Sequence, residues 1–324
     1  MSTRQQWHML LALFISVASA FAGPETISPY AWSIPLGGGK HKAGVPLGGI
    51  GAGNFMYNAC GSFGPWRMRP QDLEYRYLPQ AAFHVREEAD GKKPVVTTLA
   101  TTNLMTGWPK LMPGAATYSA LFPRGWCEYG GFDSKITMEF FSPIIKDNYR
   151  ETSLPVGVFV FHLSNPSAKP TKVSLMFTFP NASYGGKISR KGLCNSRIKE
   201  RKIAGIMMKA DDPLNPAETQ GSQWCIASAA DATFRTSWDG AGDGREILDD
   251  FADDGRLRDG EAKTDLPAGA LAVTRTLNPG ETVDVPFVLA WDFPQVSFGS
   301  GTRWWRRYTE YFPGRSGAEL CNSG

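Results

Sequence analysis

Histidine and regular cysteine spacing are scarce in this chain, and net charge is small. Of its 4 histidines, His41, His84 and His162 lie beyond the N-terminal segment. No G-x-S-x-G motif accompanies them, so a Ser-His-Asp arrangement has no support. His162 falls inside an apolar run and reads as a satisfied core histidine. The five cysteines are Cys60, Cys127, Cys194, Cys225 and Cys321. No two form a C-x-x-C pair and none is closely followed by His, which argues against a zinc site. Their odd number leaves at least one thiol free, and Cys321 in the polar tail is the candidate. One or two disulfides, or five reduced cysteines buried as small apolar residues, both stay open.

The formal net charge is only +3, with 34 basic and 31 acidic residues spread along the chain. That balance gives no reason to expect nucleic acid. Long apolar runs are absent too. The longest lies at 9–18, about half of the ~20 residues needed to span a bilayer. With Arg4 before it and the small residues Ala18-Ser19-Ala20 and Ala20-Phe21-Ala22 after it, residues 1–22 read as a secretory signal. The chain is therefore expected to be secreted or periplasmic, a retained membrane anchor being the alternative.

Helical periodicity is poor, with short exceptions at 246–251 and 304–311. What is present instead is 35 Gly, 23 Pro and 19 Phe, a composition suited to many strands and tight turns. Segments 135–142, 156–164 and 172–179 are rich in β-branched and aromatic residues. In 156–163 both alternate sets of positions are apolar, so that strand is expected to be covered on both faces. Prolines in 165–170 mark a loop. Segments 271–277 and 282–291, joined through Asn278-Pro279-Gly280, read as a hairpin. The fold class is all-β, a large antiparallel, supersandwich-like β-sandwich with few short helices. One domain is expected over 27–312, followed by a polar tail at 313–324.

Several motifs invite a sharper reading. The glycine patch 44–53 is not a dinucleotide loop, because Gly49-x-Gly51 is followed by Asn54 and Pro46 interrupts the preceding strand. Its glycines are better explained by backbone conformations or close approaches that a Cβ would block. The acidic stretch 238–261 aligns poorly with a calcium loop: matching Asp239, Asp243, Gly244 and Asp250 puts Ala241 at a ligand position and leaves no closing Glu. It reads as a solvated insertion carrying Phe251 and Leu257 into the core. The sequon Asn181-Ala182-Ser183 reads as a chance match. Tryptophans such as Trp66, Trp108, Trp126, Trp224, Trp238, Trp291, Trp304 and Trp305 are potential sugar platforms, with Arg67, Arg124 and Asp292 beside some of them. The default for any one is a core or domain-interface position. The cluster 303–308 reads as a connection that docks onto a further domain.

Taken in order, the patches 44–53, 116–124, 141–145, 288–294, 298–301 and 304–308 resemble the N-terminal domain of glycoside hydrolase family 116. This is the bile-acid β-glucosidase or non-lysosomal glucosylceramidase group, and the resemblance spans roughly 28–312. The stretch 251–257 also looks like a family feature. The resemblance implies a non-catalytic sandwich that shapes a substrate entrance and supports a helical-barrel domain carrying both catalytic carboxyl groups. That domain is expected in cis or from a neighbouring reading frame, since this chain stops about where it would begin. No catalytic residue, metal or cofactor is assigned here. Candidate entrance or domain-interface residues are Gly48, Gly49, Gly51, Trp66, Arg67, Arg124, Trp291, Asp292, Trp304 and Arg307. The implied partners are the helical domain and a β-glucoside or glycolipid carbohydrate. A stand-alone exported carbohydrate-binding or surface-interaction protein is the alternative, and a new hydrolase site on the sandwich itself a third.

Overall fold

The computed structural model describes residues 27–37, 44–70, 73–181, 192–200, 202–210, 223–229, 231–297 and 303–312. The secretory-signal reading, the polar tail and Cys321 lie outside them. Strands are numbered in chain order. A nine-stranded sheet runs β1 (Trp32–Pro35), β7 (Ala116–Leu121), β8 (Arg124–Tyr129), β9 (Lys135–Phe141), β10 (Val156–Ser164), β17 (Thr282–Asp292), β14 (Gln223–Ala229), β13 (Ile203–Ala210) and β12 (Leu193–Glu200). A five-stranded sheet runs β15 (Thr233–Asp239), β16 (Pro267–Leu277), β11 (Thr171–Pro180), β5 (Ala82–Ala89) and β6 (Val95–Thr98). A three-stranded sheet, β2 (Gly44–Leu47), β3 (Asn54–Asn58) and β4 (Phe63–Arg67), adds its aromatic residues to the core between them. The small pair β18 (Gln295–Ser297) and β19 (Arg303–Trp305) follows β17. Neighbouring strands pair antiparallel throughout, as an all-β sandwich requires.

The two large sheets bury their facing side chains in one core. Phe159, Phe161, Phe287 and Trp291 come from the nine-stranded sheet, and Phe83, Phe177, Phe179 and Leu271 from the five-stranded one. Ring packing is close, with Phe83 and Phe177 stacked at 4.5 Å between centroids. Side chains alternate across a strand, so β10 divides its residues between two environments. Phe159, Phe161 and Leu163 enter the main core, while Val156, Val158 and Val160 join a second cluster with Ile203, Met207 and Val288. The strand is buried on both faces, as its unbroken apolar pattern predicts.

Three short helices occur among the described residues: α1 (Tyr149–Thr152), α2 (Arg245–Asp254) and α3 (Tyr308–Tyr311). In α2, Ile247 and Phe251 lie one turn apart. They pack with Ala82, Met176 and Ala270 on the outer side of the five-stranded sheet. Phe251 and Leu257 are buried as expected of the acidic insertion. Its carboxylates bond to groups of the sandwich and of the insertion: Asp239 Oδ1 accepts from Thr264 Oγ1 at 2.5 Å, Glu246 pairs with Arg235 at 3.2 Å, and Asp250 pairs with Arg258 at 2.7 Å. The periodic stretch 304–311 is only half helical, with β19 ahead of α3.

One expectation fails outright. The segments around Asn278-Pro279-Gly280 form no hairpin: β16 pairs with β11 and β15, whereas β17 pairs with β10 and β14. The turn carries the chain from one sheet to the other. Residues 165–170 do the same between β10 and β11. Buried Asn165 bolts these two arches together. Its Nδ2 donates to Lys169 O at 2.8 Å and Leu277 O at 2.9 Å, its backbone N–H donates to Glu281 O, and its carbonyl accepts from Gly280 N. Local turn chemistry is the same for a hairpin and an arch, and only the distant partners distinguish them.

Cys60, Cys127, Cys194 and Cys225 are free thiols, with no disulfide among them. Burial pushes the Cys127 thiol up to about 12, so it packs as a small apolar side chain rather than as a reactive thiolate. Asn181 is buried, its Nδ2 donating to the carbonyls of Lys209 and Cys194 and to Asn195 Oδ1.

Candidate functional site

The glycine patch forms β2 and the turn into β3, and other elements hold it from several sides. Gly48 N donates to Ser142 Oγ at 2.6 Å, and Ser142 Oγ donates on to Val156 O. Gly49 N and Ile50 N donate to Leu154 O and Thr152 O at 3.0 and 2.9 Å. These contacts leave no room for side chains. A Cβ on Gly48 would sit 2.2 Å from Gly53 O, at a φ of +141° that L-residues rarely adopt. One on Gly49 would sit 2.5 Å from Thr152 O. From inside the core, Trp291 Nε1 donates to Ala52 O at 2.9 Å.

The strap 303–312 holds the same turn from the chain's far end. Arg306, buried at 5% exposure, donates to Met68 O and, at 3.4 Å, to Gly51 O. Buried Tyr308 donates to Asp292 Oδ1 at 2.8 Å, and its hydroxyl accepts from Phe293 N at 2.8 Å. Burial pushes the Asp292 carboxyl up to about 6, against the opposing pull of Tyr308 and Arg306. Burial raises the Tyr308 phenol too. The half-buried acid thus faces a phenol and a guanidinium, not a second carboxylate, and this arrangement is not the paired-carboxyl geometry of glycoside cleavage.

Of the sequence-derived candidates, Gly48, Gly49, Gly51, Trp291, Asp292 and Arg307 come together here. Arg307 reaches the rings of Tyr149 and Tyr311 at 5.2 and 5.9 Å. Arg67 is exposed at the end of β4, and Trp304 stands 60% exposed on β19. Trp66 lies behind the site in the core, tilted against Phe55 at 5.1 Å with its Nε1 donating to Arg76 O. Arg124 is not brought to the loop: it sits on β8, paired with Glu139 and over Phe141 at 5.0 Å. Sequence reasoning missed Tyr149 and Arg150, which carry no motif, and the bracing role of Ser142.

The described histidines, His84 and His162, are held in hydrogen-bonded places, and His41 lies outside the described residues. His84 is fully buried, with Thr98 and Thr178 hydroxyls at 3.0 and 3.1 Å, and burial lowers it to about 3. It is neutral at ordinary pH. His162 Nδ1 meets Asp284 Oδ1 at 2.7 Å. Among the described residues no group of three His, Cys, Asp or Glu is arranged to hold a metal ion.

Fold and site together define a β-sandwich whose ordered loop end is a braced surface. Residues 44–323 match the family described as beta-glucosidase 2, glycosyl-hydrolase family 116 N-term. The chain belongs to glycoside hydrolase family 116, as its N-terminal domain. Among solved structures it is similar to the GH36 alpha-galactosidase AgaB from Geobacillus stearothermophilus, with 11% identity and a TM-score of 0.35 over 83% of this chain and 41% of that one. It is also similar to a polysaccharide lyase, with 10% identity and a TM-score of 0.32 over 66% of this chain and 26% of that one. The chain spans well under half the length of either.

Proposed function

We propose that this chain is the supporting, non-hydrolytic domain of a β-glucosidase acting on glucosides or glucosylceramide-like glycolipids. In this reading its glycine-loop end shapes the substrate entrance of a helical catalytic domain, joined in cis or supplied by a neighbouring reading frame. The observation that carries it is the convergence at one end of the sandwich of the glycine turn and the strap 303–312, within a family 116 match. The turn is held by Thr152, Leu154, Trp291 and Arg306, a rigidity suited to fixing a loop beside a substrate path. The domain works by shape and support, and the carboxyl pair belongs to the partner.

Hydrolysis of an aryl β-glucoside by the purified chain, with and without the helical domain, tests this. Activity only in the mixture is the expected result, and activity of the chain alone would sink the reading. Export by the residue 1–22 signal belongs to the same proposal. Sequencing the N-terminus of the exported protein checks it, with a retained Met1 as the contrary outcome.

A further inference from the structure

Many arginines elsewhere on the sandwich, though not Arg256 or Arg76, pair with its own carboxylates: Arg86 with Glu88, Arg235 with Glu246, Arg258 with Asp250 and Asp253, and Arg275 with Asp231. The glycine-loop end gathers three that do not. Arg67, Arg150 and Arg307 are exposed there, and none has a carboxylate of the described residues within ion-pairing distance. The acids on the same short helices, Glu151 and Glu310, leave them unpaired, although Glu310 lies near enough to favour the charged Arg307.

Two of the three are positioned by aromatic rings. Arg150 lies over Phe312 at 5.3 Å, and Arg307 faces Tyr149 at 5.2 Å while Nη2 donates to Tyr311 Oη at 3.2 Å. A guanidinium lying against a ring still has in-plane N–H donors to offer a carboxylate, which takes two in parallel, and Arg307 keeps the rest of its fork beyond the one given to Tyr311. The surroundings are apolar and exposed: Ile50 at 52%, Tyr149 at 61% and Trp304 at 60%. Arginine with large aromatics is the composition of an interface centre. Neutral sugar hydroxyls would be met by mixed donors and acceptors, whereas a cluster of unpaired cations selects an anionic surface.

We propose that this arginine–aromatic face docks a carboxylate-rich patch of the family's helical domain, with Arg150 and Arg307 as its bidentate anchors. The inference rests on the reading that such a domain sits at this end, and adds the chemistry of its surface. The test is calorimetric titration of the full chain into the helical domain of a family 116 β-glucosidase that melts cooperatively, at 50 and 300 mM NaCl. Binding is expected to weaken about tenfold or more with salt. The double variant Arg150→Glu/Arg307→Glu is expected to lose a similar factor without a change in its own melting temperature. The double variant Arg150→Lys/Arg307→Lys, which keeps the charge but not the fork, is expected to fall between. Wild-type affinity in the charge-reversed variant, or no salt dependence, overturns the inference and leaves the docking reading standing. No binding by the wild type at 50 mM overturns both. Arginine-dependent capture by phosphatidylserine vesicles that the helical domain does not displace overturns it in favour of a lipid surface.

Discussion

Trp291 and Ala52 lie 239 positions apart and share a 2.9 Å hydrogen bond, indole N–H to backbone carbonyl, inside the core. The last long strand of the nine-stranded sheet thereby holds the glycine loop from beneath. Trp291→Phe keeps most of the ring but leaves the carbonyl of buried Ala52 without its donor. A loss of about 2–3 kcal/mol is expected, read by urea denaturation. A change under about 0.5 kcal/mol would show that the bond does not hold the loop.

Gly49 approaches the backbone of residues 152–154 too closely for any side chain. Gly49→Ala forces that segment or the loop to move, at an expected cost of about 1–3 kcal/mol. Gly91→Ala is the comparison: nothing lies within 4 Å of its added Cβ, though φ is +72°. It is expected to cost only the backbone strain, about 1–2 kcal/mol. Equal losses in melting temperature, with Gly49→Ala unchanged in loop protection by hydrogen exchange, would contradict the close-approach argument.

The Asp292 carboxyl makes stability depend on pH. Its folded value is raised to about 6 from an ordinary 3.8, so across that window the folded state binds more protons than the unfolded one. Stability from this group is fully present below about pH 4 and falls as pH rises through 6, by roughly 2 kcal/mol. Asp292→Asn should flatten the slope between pH 4 and 6.5 in urea midpoints. A variant with the wild-type slope would remove Asp292 as its source.

Asn165 joins the two sheet-to-sheet arches through Lys169, Leu277, Glu281 and Gly280. Asn165→Ala removes both side-chain amide bonds and leaves the buried Leu277 carbonyl without this donor, and about 1–3 kcal/mol of destabilisation is expected. Asn165→Asp, which keeps the acceptor but loses the amide donors, should recover little of it. Full recovery would assign the effect to the bonds made with Ser167.

Asn181 heads a sequon yet is buried, its amide donating to three partners. Expression in a glycosylating host should leave this position unmodified in the folded, exported protein. An intact-mass increase removed by Asn181→Gln would show that glycan transfer precedes folding here.

Strand positions were legible because burial and local propensity are written residue by residue. The double-sided apolar pattern of 156–163 announced a strand covered on both faces, and the apolar Phe251 and Leu257 announced where the acidic insertion meets the core. The ordered patches from 44–53 to 304–308 carried the family. None of this says which strand a segment pairs with. The Asn-Pro-Gly turn at 278–280 suits a hairpin as well as an arch, and the choice was made by β11 and β10, which meet β16 and β17 from far along the chain. The same holds for the site. The sequence by itself determined the fold class, the family and the need for small residues in the loop. Only the tertiary structure decided that Trp291 and Arg306 hold that loop, that Trp66 is core and Arg124 lies apart, and that Arg150 and Arg307 lie on aromatic rings with no carboxylate partner among the described residues. Hydrogen bonds and ion pairs depend on atoms brought together from far along the chain, whereas composition and periodicity report only on neighbours.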